Sequence, residues 1–199
     1  MIKKKYIVLS LVCFGCLSFA ESHITSWLSG GYGFVYEKSH LDDVERQIIS
    51  SAYRLSDYFF GDNNHFGLYS HLSILIPQHI IEETEQNISH WDRTSYEKLF
   101  KFNLIIGPAF KVNVYKNVHF KTSLGLSYTN FSKENHCLDY SENSLGVNFN
   151  LGFVLYDTRR TFVDTGINFT HNFLNYADGI RSTKFFNQFE IYLGYGFTF

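Results

Sequence analysis

Phe185-Phe186-Asn187-Gln188-Phe189-Glu190-Ile191-Tyr192-Leu193-Gly194-Tyr195-Gly196-Phe197-Thr198-Phe199 is a stretch that alternates almost without interruption. On an extended strand, Phe189, Ile191, Leu193, Tyr195, Phe197 and Phe199 share one face, while Gln188, Glu190, Gly194, Gly196 and Thr198 share the other. A free, apolar strand edge of this length is a hazard in water. Lipid is the environment it suits.

Working outward, seven further segments repeat the pattern: about Trp27 to Glu37, Ile48 to Phe60, Phe66 to Ile76, Tyr96 to Val112, Val118 to Phe131, Asn143 to Tyr156 and Thr161 to Phe173. The second is the weakest, because Asp57 interrupts the row of Tyr53, Leu55 and Phe59. Aromatic residues make up 19% of the chain, yet apart from the N-terminal stretch no apolar run is long enough for a membrane helix. Apolar surface is abundant but spread at period two, as transmembrane strands spread it.

Alternation alone leaves open which face meets lipid, since a lipocalin-like barrel alternates with its apolar set inside. Three features choose. Most segments reach or exceed the roughly 9–11 residues that cross a bilayer. The polar face is rich in Gly, Ser and Asn, which suits a cramped bore better than a solvated exterior. The connections alternate, with tight turns at Gly61–Asn64, Val114–Asn117 and Asp157–Arg160 and longer ones at Lys38–Gln47, Pro77–Ser95, Ser132–Glu142 and Leu174–Lys184. Short periplasmic turns and long outer loops are the outer-membrane arrangement. The expected fold is therefore all-β: an eight-stranded antiparallel up-and-down transmembrane β-barrel, with Tyr195, Phe197 and Phe199 as its assembly signal for the barrel-assembly machinery.

The N-terminus reads as a secretory signal over residues 1–20. Lys3, Lys4 and Lys5 precede an apolar core from Ile7 to Phe19, and Ser18-Phe19-Ala20 forms a small-x-small cleavage site before Glu21. A membrane anchor helix would need a longer apolar run, and Cys16 as a lipoprotein cysteine sits in a poor context. Cleavage removes three of 17 basic residues, leaving 14 against 19 acidic ones. That balance argues against a nucleic-acid partner. Cys137 becomes the lone cysteine of the mature chain, so no internal disulfide is expected.

Ile106-Gly107-Pro108-Ala109-Phe110-Lys111-Val112-Asn113, followed by a tight turn, resembles a strand hairpin of the small Ail/OmpX/Lom outer-membrane barrels. Gly194-Tyr195-Gly196-Phe197-Thr198-Phe199 is similar to that family's terminal strand, as is Gly30-Gly31-Tyr32 to its first. The resemblance implies an eight-stranded monomer whose surface loops serve adhesion, host-cell entry or complement resistance. The partners to expect are outer-membrane lipid and lipopolysaccharide and, through the loops, host-surface or serum proteins. The loops depart from the family in length and charge. Pro77–Ser95 carries Glu82, Glu83, Glu85 and Asp92 against Arg93, which disfavours a polyanionic ligand.

Alternation places Lys101, Lys111, His119, Lys121, Asp164 and Glu190 in the bore, where unpaired charge is costly. Lys101 and Lys121 are expected to pair with Glu190 and Asp164, although a narrow ion path is the functional alternative. For catalysis, His71 and Ser73 share a strand face, and Glu97 or Glu190 is a conceivable orienting carboxylate for a lipid A esterase or acyltransferase. A chain with nine histidines throws up such pairs by chance. No catalytic residue and no cofactor is therefore assigned, and His40, His79, His90 and His136 lack the spacing of a metal site. Trp27 fits a lipid-facing aromatic girdle. Trp91, in the second long loop, is either a contact anchor or part of the rim with Ile80, Ile81 and Ile88.

Overall fold

The computed structural model describes residues 24–41, 44–61, 65–84, 88–92, 98–135, 138–177, 180–182 and 186–199. They form β1 (Ile24–Leu41), β2 (Val44–Gly61), β3 (Phe66–Thr84), β4 (Ile88–Asp92), β5 (Lys98–Tyr115), β6 (Val118–Asn135), β7 (Leu138–Tyr156), β8 (Thr161–Ala177), β9 (Ile180–Ser182) and β10 (Phe186–Thr198). Eight strands make the wall, each antiparallel to its neighbours, and β10 closes it by pairing with both β1 and β8. β4 and β9 are short additions to β3 and β8.

The wall is tilted. From Gly33 the register runs through Ala52, Leu75, Lys101, Phe131 and Glu142 to Ala177 on β8. In the other direction it runs through Tyr192 to Gly166, also on β8. That two routes reach one strand at different heights is the stagger a closed barrel requires.

Sequence alternation becomes radial position. Phe189, Ile191, Leu193, Tyr195, Phe197 and Phe199 all face outward and are exposed, as are Phe34, Tyr53, Leu68, Ile106, Leu126, Phe149 and Phe169. Ser29, Ser73, Asn103, Lys121, Ser123, Asn148, Asn150, Asp164, Asn168 and Glu190 face inward and are buried. A protein apolar outside and polar inside has its surface matched to acyl chains. Two glycines in the wall answer to close approach. A Cβ on Gly107 would lie 2.1 Å from the Leu124 carbonyl oxygen, and one on Gly166 would lie 2.2 Å from that of Leu151. Gly33 and Gly166 also flank Tyr192 in the register, so a ring that points into the bore has room to lie down. Gly166→Val should therefore cut the yield of heat-modifiable, folded barrel severalfold, measured by gel mobility before and after boiling.

Three expectations need correction. The long outer loops are mostly strand: Lys38–Leu41 pairs with Val44–Gln47, Pro77–Thr84 extends β3, and Leu138–Glu142 pairs with Phe131–Asn135. Apolar alternation fades where lipid ends, but the backbone ladder continues because its groups still need partners. Second, Asp57 breaks the apolar row of β2 but not the strand, so the weakest segment is as long as its neighbour β1. Asp57 sits on the outward face of a continuous strand, nearly buried, and accepts a hydrogen bond from Ser26 Oγ at 2.8 Å. Third, Trp27 is not in the girdle. It points into the bore and is 2% exposed. The expected segment starts at Tyr96 and Phe185, the expected signal over residues 1–20, Glu97 and Cys137 lie outside the described residues.

The turn joining β7 and β8 is tied by Asp157, whose Oδ1 accepts from Thr161 Oγ1 at 2.5 Å and whose Oδ2 accepts from Tyr195 OH at 2.7 Å. The Thr161 hydroxyl first, and Tyr195 second, hold this carboxyl below its ordinary range. A lowered folded-state value means the contribution is present above the unfolded value, about 4, and is lost as pH falls through the folded one. Acidification below about pH 4 should loosen this turn in hydrogen exchange, and Asp157→Asn should abolish that pH dependence.

Candidate functional site

The bore is filled in layers. At the end bearing the short turns, Trp27, Tyr58, Phe60, Tyr69, Ile105, Ala109, Val154 and Phe162 form one buried cluster, with Tyr156 packed on it. Trp27 meets Phe60 edge-on at 5.1 Å and His119 at 5.4 Å, and Lys111 Nζ lies 4.4 Å from the centre of the Phe60 ring. Edge-to-face rings and a cation over a ring are favourable arrangements. This plug is aromatic, not polar.

Above it lies the charge network. Lys121 Nζ meets Asp164 Oδ1 at 2.6 Å, and Ser29 Oγ donates to Asp164 Oδ2 at 2.7 Å. Arg54 is the residue that alternation missed. Its NH1 meets Glu190 Oε1 at 3.2 Å, its NH2 donates to Ser56 Oγ at 2.9 Å, and its guanidinium lies 3.3 Å from the Tyr192 ring centre. Asn168 donates to the other Glu190 oxygen at 2.8 Å. Each carboxylate thus has a cation and a neutral donor, the condition under which buried charge is tolerated. Nearer the outer end, Lys101 pairs with Glu37, and Arg46 NH1 reaches Glu142 Oε2 at 3.6 Å.

Of the four expected network residues, Lys121 and Asp164 therefore meet each other. Glu190 takes Arg54 and Lys101 takes Glu37, so a Lys101–Glu190 partnership is replaced by two others. Registers decide this. Lys101 stands level with Leu75 and Phe131, well above Glu190 in the stagger, and Arg54 lies beside Gly31, four positions along β1 from Val35, the partner of Glu190. Arg54 was concealed because it occupies the segment with the weakest alternation.

His71 and Ser73 both point inward and are 1% exposed. His71 Nδ1 shares a hydrogen bond with Ser56 Oγ at 2.9 Å, not with Ser73 or a carboxylate. Glu190 is taken by Arg54 and Asn168, and Glu97 is outside the described residues. Among the described residues, neighbouring side chains and backbone shut this pair off from solvent. Trp91 lies in β4, opposite Ile80 in the β3–β4 hairpin, and its side chain is outside the described ones. Tyr195, Phe197 and Phe199 line the outer face of the closing strand, with Phe199 joined to Ser26 by two backbone hydrogen bonds of 3.1 Å.

With this geometry in view, the likeness to solved structures has meaning. The chain superposes on outer membrane protein OprG from Pseudomonas aeruginosa with a TM-score of 0.61 at 10% identity, covering 89% of this chain and 96% of that one. It superposes on Neisserial surface protein A with a TM-score of 0.57 at 14% identity, covering 89% and 98%. It superposes on Ail, the attachment invasion locus protein of Yersinia pestis, with a TM-score of 0.52 at 13% identity, covering 88% and 98%. The chain has the fold of these small β-barrels. No protein-family model matches its sequence, and no curated protein matches it either. At these identities the likeness is one of fold. For Ail that likeness of fold takes in the 106–113 and 194–199 stretches within the 88% of the chain it covers.

Proposed function

We propose that this barrel is a surface protein of the outer membrane whose working part is the set of paired strands standing beyond the lipid, and that it serves adhesion or host interaction or supports envelope integrity. The observation that carries this reading is a contrast between the two ends. Each of β1, β2, β3, β5, β6 and β7 is 18 or 19 residues long, well beyond the roughly 9–11 a crossing needs. The surplus lies at the outer end, where Lys38, Glu45, Glu83, Ser141 and Asn187 replace the apolar belt. At the other end the strands stop in tight turns over a packed plug. Surface lost at one end and built up at the other points outward for the function.

The filled bore speaks against the pore reading, and the burial of His71 and Ser73 speaks against the lipid-modifying one. In planar bilayers the purified protein should give no resolvable conductance steps. His71→Ala with Ser73→Ala should leave the lipid A mass spectrum of the host bacterium unchanged. Loop function is tested by replacing residues 82–92, the tip of the β3–β4 hairpin with its acidic run and Trp91, by a short Gly-Ser turn. The variant should keep its heat-dependent gel shift, and bacteria bearing it should lose most binding to host cells or serum proteins. Unchanged binding would remove this hairpin from the reading.

Further expectations belong to the same proposal. Residues 1–20 are removed on export, which the mass of the mature protein checks, with Glu21 first. The barrel-assembly machinery reads Tyr195, Phe197 and Phe199. The mature chain is a monomer in contact with outer-membrane lipid and lipopolysaccharide.

A further inference from the structure

The mouth of the barrel beneath the aromatic plug holds an open cleft of about 470 Å³, lined by Lys116, Asn117, His119, Tyr156, Asp157, Thr158 and Arg159. It lies between two neighbouring tight turns, β5–β6 and β7–β8, which the backbone bond from Tyr156 N to Asn117 O at 2.8 Å holds together. Its floor is His119 and Tyr156, whose rings meet at 5.3 Å. Its only carboxylate, Asp157, has one oxygen taken by Thr161 and the other by Tyr195 on the closing strand. Among the described residues, neither Lys116 nor Arg159 has an ion-pair partner. Two unmatched cations thus line one cleft whose single acid is committed elsewhere.

We propose that this cleft binds a phosphate, that of an anionic phospholipid headgroup in the inner leaflet. Shared chemistry would also admit free inorganic phosphate; position favours the lipid. The turn that carries Lys116 also carries Val114 and Tyr115, 59% and 69% exposed, and Leu155 and Phe197 are exposed on strands nearby. An exposed Tyr beside an exposed apolar residue marks the level of the membrane interface. Short turns belong to the periplasmic side, so Lys116 and Arg159 stand at the depth of inner-leaflet phosphates. A lysine supplies a point charge and an arginine a two-pronged donor, and both suit phosphate oxygens.

The full-length mature protein in vesicles of phosphatidylcholine doped with phosphatidylglycerol provides the test, with co-purifying lipid counted by native mass spectrometry. Wild type should be enriched in phosphatidylglycerol. K116Q/R159Q should lose that enrichment by roughly twenty-five-fold, since each surface cation favours an anionic lipid by roughly fivefold. Both substitutions are in exposed turns, and a preserved heat-dependent gel shift shows that the barrel is intact. K38Q, at the opposite end, should keep the enrichment. Enrichment that survives in K116Q/R159Q, or is lost equally in K38Q, overturns the proposal. So does a wild type that shows no lipid preference while inorganic phosphate alone shifts the amide resonances of Lys116 and Arg159, because the site would then serve a free anion.

Discussion

Arg54→Ala should lower the unfolding free energy of the barrel by about 3–5 kcal/mol, the usual cost of leaving one member of a buried ion pair without the other. The reason is local. Arg54 and Glu190 are each 2% exposed in their side chains, so water cannot take over the solvation of the abandoned carboxylate. Asn168 remains as a donor to Glu190, but one neutral amide does not balance a full charge. The Tyr192 ring would also lose the guanidinium lying 3.3 Å from its centre. Urea titration of the folded gel band reads the change. Arg54→Met combined with Glu190→Leu should recover most of the loss, because an ion pair replaced by apolar side chains of similar volume is often neutral. A double variant no better than the single one would mean that packing around Tyr192, and not charge, is what Arg54 supplies.

Trp27→Ala should cost a similar amount, about 3–5 kcal/mol, for a different reason: it opens a cavity. Trp27 is 2% exposed and touches Phe60, His119, Tyr156 and Phe162, so its loss leaves a void in contact with four rings. Trp27→Phe, which keeps most of the volume, should cost appreciably less. Neither variant should conduct ions in planar bilayers, since Lys121, Asp164, Arg54 and Glu190 fill the bore above the plug. Conductance appearing in Trp27→Ala would show that the aromatic layer alone is the barrier.

What the sequence displays and what it hides divide along physical lines. Radial direction is visible, because period two assigns each residue to lipid or bore. That is why the outward row from Phe189 to Phe199 and the inward direction of Lys121 and Asp164 can be read without a structure. Height along the bore is not visible. Partners across a barrel depend on the stagger, and a one-step error in register moves a charge past its counterpart. Glu190 was therefore matched to the wrong cation. Arg54 stayed concealed for another reason, since β2 carries Asp57 on its lipid side and blurs the alternation that would have marked Arg54 as inward. Trp27 illustrates a third limit. A tryptophan near a strand end suits a girdle or a plug equally well by type, and only its odd position relative to Leu28 and Tyr32 separates the two. The outer hairpins read as loops in the sequence because polar residues on both faces remove the pattern while leaving backbone pairing intact.

One consequence of the stoppered, charge-balanced interior concerns communication. Among the described residues, Arg54, Lys101 and Lys121 in the bore each stand against a carboxylate, over a layer of packed rings. A push on one end of such a filled tube meets side chains already locked to one another, so the interior answers as a rigid post and not as a conduit.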